Sequence, residues 1–348
     1  MELTRDYDVQ ARGNKTMTLD GGSKPLPGAG STILPASEAA IAQAGERLRS
    51  GALVAFPTET VYGLGADARN GQAVARIFEA KGRPRFNPLI VHVSDLAQAA
   101  EIARISTHAE RLALAFWPGP LTLVVERRAA SGLSDLVSAG LSTIAIRVPD
   151  HPVARALLRA ADRPLAAPSA NRSGHVSATR AGHVAQDFAQ HNIMILDGGP
   201  TAFGLESTIV GVTGDDAVLL RSGAIETSVI EQVLGRALAR VGEMGDRPNA
   251  PGQLASHYAP RAHLRLNATE VRAGEVLLAF GAVVPACGGQ MINLSPAGNL
   301  IEAAANLFAS LRALDERGTG AIAVMPIPDE GLGEAINDRL RRAAAPRG

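Results

Sequence analysis

Between residues 36 and 345, short apolar runs of strand length alternate with stretches whose apolar residues recur at helical spacing. The alternation breaks once, in a Gly-, Pro- and polar-rich segment at residues 242–260. Strands that are apolar throughout must be covered by helices, so such a chain is confined to the α/β class. At 348 residues it is also longer than one core comfortably serves. The sequence therefore predicts a loose leader over residues 1–35, a larger α/β unit over 36–240, a linker or lid over 241–262, and a smaller parallel α/β unit over 263–345. In the larger unit, Ser37 ahead of Ala40, Ile41, Ala44 and Leu48 predicts a helix stopped by Gly51. Residues 52–56, 89–93, 121–126, 143–148, 193–196 and 207–212 read as strands, and 70–80, 151–160, 179–190 and 228–239 as helices. Thr107 with Glu110 has the capping-box pattern for a helix reaching Trp117. In the smaller unit, strands at 264–266, 276–280, 291–294 and 321–325 surround a helix at 298–316, followed by a last helix from Gly333 and a frayed tail at 343–348.

Composition narrows the function classes. There are 34 basic and 34 acidic residues, so the chain lacks the positive excess of a general nucleic-acid coat or membrane-surface binder. Its single cysteine, Cys287, allows neither an intrachain disulfide nor a cysteine metal cage and fits a reducing cytoplasm. No apolar run approaches the roughly 20 residues of a membrane span. The GxxxxGK[ST] and GxGxxG phosphate fingerprints and HExxH are all missing, and the histidines show no metal-ligand spacing. Any metal is expected to be magnesium carried by a nucleotide, held by phosphates and water.

The densest unusual segment is KGRPRFNPL at residues 81–89, with three cations in five residues where a helix gives way to a strand. It reads either as a solvated basic turn or as a polyphosphate site, to which Arg offers paired donors and Lys a compact charge. Lys81 is the only lysine beyond the leader, since Lys15 and Lys24 lie within it; elsewhere the chain uses arginine. The loop PTETVYGLG at residues 57–65 follows an apolar strand and carries hydroxyls and glycines, as ligand loops and ordinary strand-ending turns both do. PSAN at 168–171 and GLEST at 204–208 are similar. Arg147 interrupts an apolar strand just before Pro149, marking either a solvent face or a cation at the sheet's ligand edge. His92 holds the matching place in IVHV at residues 90–93, where a structural role is the ordinary one.

Taken together these segments resemble the two-domain threonylcarbamoyl-AMP synthases, whose catalytic half is a YrdC-like domain. The resemblance rests on FPTETVYGLG (56–65), KGR (81–83) with NPLIVH (87–92), WPGPLT (117–122), APSAN (167–171), DGG (197–199) with EST (206–208), LLRSG (219–223) and the linker PGQLASHYAP (251–260). It implies a YrdC-like twisted mixed sheet joined by a linker to a smaller Rossmann-like parallel α/β domain. It also implies that Lys81 and Arg83 are catalytic, stabilising charge on departing pyrophosphate. Arg83, Asn87, Thr143, Ser169, Ser177, Arg221 and Tyr258 would bind ATP, with Tyr258 folding over the nucleotide from the linker. Thr60, His92, Arg147, Ala167 (through its backbone) and Ser207 would bind threonine. The loop NRSGH at 171–175 is a local difference that bears on where Ser177 falls. The implied substrates are L-threonine, bicarbonate and ATP with Mg2+, and the implied downstream partner is a tRNA threonylcarbamoyl transferase, with no tRNA contact required of this chain. The alternative reading is a double-stranded-RNA-binding module. Carbamoyl-adenylate formation from carbamoyl phosphate would need acylphosphatase and zinc-finger modules, and one cysteine excludes the finger.

Overall fold

The computed structural model describes residues 30–214, 216–240, 256–316 and 320–346. The larger unit runs β1 (Thr32–Pro35), α1 (Glu38–Arg49), β2 (Val54–Phe56), β3 (Gly63–Asp67), α2 (Gly71–Lys81), β4 (Ile90–His92), α3 (Leu96–Ile102), α4 (Thr107–Phe116), β5 (Leu121–Glu126) and α5 (Asp135–Ser138). It continues through β6 (Thr143–Arg147), α6 (Pro152–Ala161), β7 (Leu165–Ala166), α7 (Ala181–Asp187), β8 (Met194–Asp197), β9 (Thr208–Thr213), β10 (Asp216–Arg221), α8 (Thr227–Leu234) and β11 (Ala239–Arg240). The smaller unit comprises β12 (His263–Arg265), β13 (Glu275–Ala279), β14 (Met291–Asn293), α9 (Leu300–Asp315), β15 (Ala321–Val324) and α10 (Leu332–Ala344).

The larger unit is built on one mixed sheet in the order β1-β8-β2-β3-β7-β4-β6-β5-β9-β10-β11. One face packs on α2, α4 and α8 through Ile77, Leu112, Leu123, Ile146 and Ile230. Around β2 and β8, the other face packs on α1 and α6 through Leu48, Phe56, Leu157 and Leu196. The smaller unit's sheet, β12-β15-β13-β14, is parallel throughout. Leu307, Phe308 and Leu311 of α9 and Ile336 and Leu340 of α10 cover the sheet face carrying Val276, Leu278 and Ile322. That second core also takes in Val61, Val176 and Leu205 of the larger unit. Burying each such side chain contributes about 1.5–3 kcal/mol, so apolar area as well as ion pairs holds the units together.

Several expectations need correction. Thr32–Pro35, inside the predicted leader, pairs parallel with β8, with Thr32 opposite Met194. The helix at Thr107–Phe116 is capped one residue earlier than the sequence pattern suggests. Ser106 is extended and its hydroxyl accepts from Ala109 N, while Thr107 is already helical. The helix expected to reach residue 239 ends at Leu234, because Gly235 (φ 73°) turns the chain, and Ala239–Arg240 pairs with β10 instead. Residues 63–65, read as part of a loop, belong to β3. Gly65 is required there, since a Cβ would sit 2.9 Å from the Phe56 ring. The last helix persists to Ala344, past the start of the expected frayed tail. Residues 241–255 of the predicted linker lie outside the described residues.

Candidate active site

One edge of the large sheet gathers the loop after β2, the last residues of β4, β6 and β10, the segments after α2 and β7, and the segment leading into β9. They enclose a pocket lined by Thr58, Thr60, Arg83, His92, Arg147, Ala167, Ser169, Glu206, Ser207, Arg221 and Tyr258, among others. Strand register produces this convergence. His92 ends β4 directly opposite Arg147 at the end of the parallel β6. Antiparallel pairing of β9 with β10 brings Arg221 to the same edge as Ser207.

The cationic side begins at the end of α2. Asn70 caps the helix through Gln72 N and Ala73 N; at its other end Gly82 (φ 61°) donates to Glu79 O while Arg83 N donates to Phe78 O. This left-handed glycine closure turns the chain sharply and sends Arg83 into the pocket. Asn87 orients that guanidinium: Nη2 donates to Asn87 Oδ1 at 2.7 Å and to Pro88 O at 2.7 Å. Burial, with some repulsion from Arg221, pulls the Arg83 pKa down to about 10, so the group stays charged at neutral pH. Arg221 donates to Ser207 O and Oγ, and burial likewise lowers its pKa. Lys81 stands behind the pocket wall, 3% exposed, with Nζ donating to Ser169 O at 2.6 Å and to Asn171 O. Burial first, and Arg83 second, lower its pKa well below that of an ordinary lysine. Its bonds tie the Ser169 loop to α2.

Arg147 is 3% exposed and donates to Glu59 Oε1 at 2.6 Å, Thr60 Oγ1 at 2.8 Å and Gly119 O at 3.2 Å. It is therefore a buried cation on the pocket wall and not a marker of the solvent face. His92 meets Phe56 edge-on, and burial with the nearby Arg147 charge lowers its pKa to about 3. It is neutral at physiological pH, with Nδ1 buried and unpartnered.

The smaller unit and the described end of the linker complete the enclosure. Tyr258 adopts φ 62°, a conformation rare for a bulky residue. It is held by His257 N on Arg342 O and Ala259 N on Gly174 O, and its ring stacks on Phe308 of α9 at 5.6 Å. Arg312 of α9 pairs with Asp187 of α7 at 2.7 Å, and Arg339 of α10 pairs with Glu206 at 2.9 Å.

Of the residues singled out in the sequence, Thr60, Arg83, His92, Arg147, Ala167, Ser169, Ser207, Arg221 and Tyr258 line the pocket together. Lys81 and Asn87 stand one layer behind it, as does Ser177, whose Oγ donates to Glu206 Oε1 at 2.6 Å. Thr143 is not brought there. It opens β6 opposite Glu126, four residues and about 13 Å of extended strand from Arg147. The sequence reading assigned no role to Glu59, Glu206 or Arg339. Arg339 did leave a signal, since it falls on the apolar stripe of α10 with Ala335, Ile336 and Ala343.

The fold and site thus define a two-unit α/β protein with an enclosed cationic pocket at the edge of a mixed sheet. Residues 46–223 match the Sua5_yciO_yrdC family, described as telomere recombination, and residues 225–345 match the threonylcarbamoyl-AMP synthase C-terminal domain. The chain is 41% identical over 341 residues to threonylcarbamoyl-AMP synthase of Bacillus subtilis, spanning 90% of this chain and 95% of the relative. It is 42% identical over 316 residues to the enzyme of that name from Pyrococcus abyssi, spanning 86% and 92%. The crystal structure of P. abyssi Sua5 complexed with L-threonine superimposes with a TM-score of 0.82 at 38% identity, covering 90% of this chain and 96% of that one. The chain belongs to the threonylcarbamoyl-AMP synthase family.

Proposed function

We propose that this chain makes threonylcarbamoyl-AMP from L-threonine, bicarbonate and ATP, releasing pyrophosphate, in the cytoplasm. The carrying observation is one pocket lined together by Arg83, Arg221, Arg147, Thr60 and His92. In this reading Arg83 and Arg221 take the triphosphate and Arg147 takes the amino-acid carboxylate. The threonine amine condenses with bicarbonate, losing water, to give a carbamate. A carbamate oxygen then attacks the α-phosphorus, and the bond from that phosphorus to the β-bridging oxygen breaks with departure of pyrophosphate. No protein nucleophile is needed; positioning and charge stabilisation supply the rate. Arg83 faces the departing charge. Lys81, bonded to two loop carbonyls, acts by holding Ser169 and its neighbours in place. Asn87 and Ser177 serve ATP through Arg83 and Glu206.

Magnesium enters as the nucleotide's counter-ion. Among the described residues no group of three or more His, Cys, Asp or Glu side chains could cage a metal, and Glu206, the acidic residue on the pocket wall, already has partners. In this reading phosphates and water would hold the ion. The product passes to a tRNA threonylcarbamoyl transferase. Double-stranded-RNA binding is disfavoured because Arg83, Arg147 and Arg221 are buried around a pocket, whereas duplex phosphates require surface cations. No helix among the described residues is long and apolar enough to cross a membrane.

The test is pyrophosphate release from ATP. It should require threonine and bicarbonate together, and Arg83→Ala should abolish it with the fold intact. Release that ignores either co-substrate, or wild-type turnover by the variant, would refute the reading.

A further inference from the structure

Arg339 belongs to the smaller unit, yet it is wholly buried against the pocket wall of the larger one. Its Nε donates to Glu206 Oε2 at 2.9 Å, Nη1 to Asp338 Oδ2 at 2.7 Å and Nη2 to Ser222 O at 2.9 Å. Its guanidinium carbon lies 5.2 Å from the centre of the Tyr258 ring. Glu206 is the acidic residue among those lining the pocket, and its second oxygen accepts from Ser177 Oγ at 2.6 Å. Burial tends to raise its pKa, but the Arg339 charge, then Arg221 and the Ser177 hydroxyl, hold it below the usual range, so it is ionised.

An ionised carboxylate in the wall of a triphosphate pocket is a liability. Uncompensated, it would repel phosphate and offset the field of Arg83 and Arg221 in a site where water screens little. Arg339 answers that charge from behind, through a directed hydrogen bond, leaving Glu206 free to orient Ser177. We propose that Arg339 is a positioning residue for the nucleotide site: α10 of the smaller unit neutralises and pins Glu206, so docking of that unit sets the electrostatics of the pocket. This rests on the nucleotide reading above and extends it to a residue outside the larger unit. It makes nucleotide affinity and seating of α10 reciprocal, since each favours the state the other requires.

The test is calorimetric binding of a non-hydrolysable ATP analogue with magnesium to the full chain. Arg339→Met should weaken binding about tenfold or more, because it strands Glu206 as a buried, unpaired anion. Adding Glu206→Gln, which removes that charge and keeps an acceptor for Ser177, should restore most of the affinity. Glu206→Gln alone, which removes the anion and leaves the Arg339 charge on the pocket wall, should bind more tightly than wild type, which keeps the proposal testable if Arg339→Met does not fold. Arg240→Ala, which breaks the pair between the largely exposed Arg240 and Glu334 of α10, the helix that carries Arg339, should weaken binding much less than Arg339→Met does. A purely structural Arg339 would lower the thermal midpoint without this rescue. Equal loss in Arg339→Met and the double variant, or binding by Glu206→Gln alone no tighter than wild type, overturns the proposal. Failure of the wild-type chain to bind the analogue overturns the nucleotide reading itself.

Discussion

Arg147 and Glu59 sit 2.6 Å apart with 4% and 7% of their side chains exposed, and Glu59 Oε2 has no protein partner. Losing one member of such a pair leaves a charge that water cannot reach. Arg147→Met should therefore cost about 3–5 kcal/mol in urea unfolding, part of it recovered by adding Glu59→Gln; a loss below about 1 kcal/mol would contradict the buried pairing. His92 gives the pH dependence. Its folded pKa, lowered by burial and Arg147 to about 3, lies below the unfolded value near 6.5. Below pH 6.5 the unfolded chain takes up a proton that the folded one refuses. Stability present above that pH is thus lost as pH falls towards 3, by up to about 1.4 kcal/mol per unit from this group. His92→Gln should flatten the slope between pH 6.5 and 4.5, and an unchanged slope would rule out a buried neutral imidazole. At this scale part was legible: Arg147, ending an apolar strand, read as either a solvent-face marker or a cation at the sheet's ligand edge, whereas His92 read as structural from its strand and gained a threonine role only through the family resemblance. Glu206 was not, and Arg339 showed only as a charge on an apolar stripe, because each makes sense only beside a partner 133 residues away.

Whether a segment became strand, helix or turn was settled mostly by local chemistry. Helix starts followed from Ser37, Asn70 and Asn299, whose side chains accept from the first free backbone N–H groups. β3 was hidden by its glycines, because Phe56 occupies the space a side chain would fill, and α3 and β10 went unread in the sequence. Gly204 shows the same logic between elements. Its φ is 67°, and a Cβ there would fall 2.5 Å from the backbone oxygens of Ala304 and Ala305 in α9. Gly204→Ala should force the 204–208 loop off α9, lowering stability by about 1–3 kcal/mol and weakening nucleotide binding. Unchanged stability in a urea titration would show that the loop does not need this close approach.

For the whole molecule, alternation of element types gave two α/β units and the break between them, because that rhythm reflects which faces must be buried. How the units meet was not legible. The seam is made by Val61, Val176 and Leu205 joining the second core, and by Arg312 and Arg339 reaching across it. Adjacency in space leaves no periodicity in the chain. The central claim is that the triphosphate lies between Arg83 and Arg221, beneath Tyr258, with the amino-acid carboxylate at Arg147. A crystal structure with a non-hydrolysable ATP analogue, magnesium and threonine tests it most directly. The account predicts phosphate oxygens within hydrogen-bond reach of both guanidinium groups and the threonine carboxylate against Arg147; an analogue bound outside this pocket, with the fold unchanged, would contradict it.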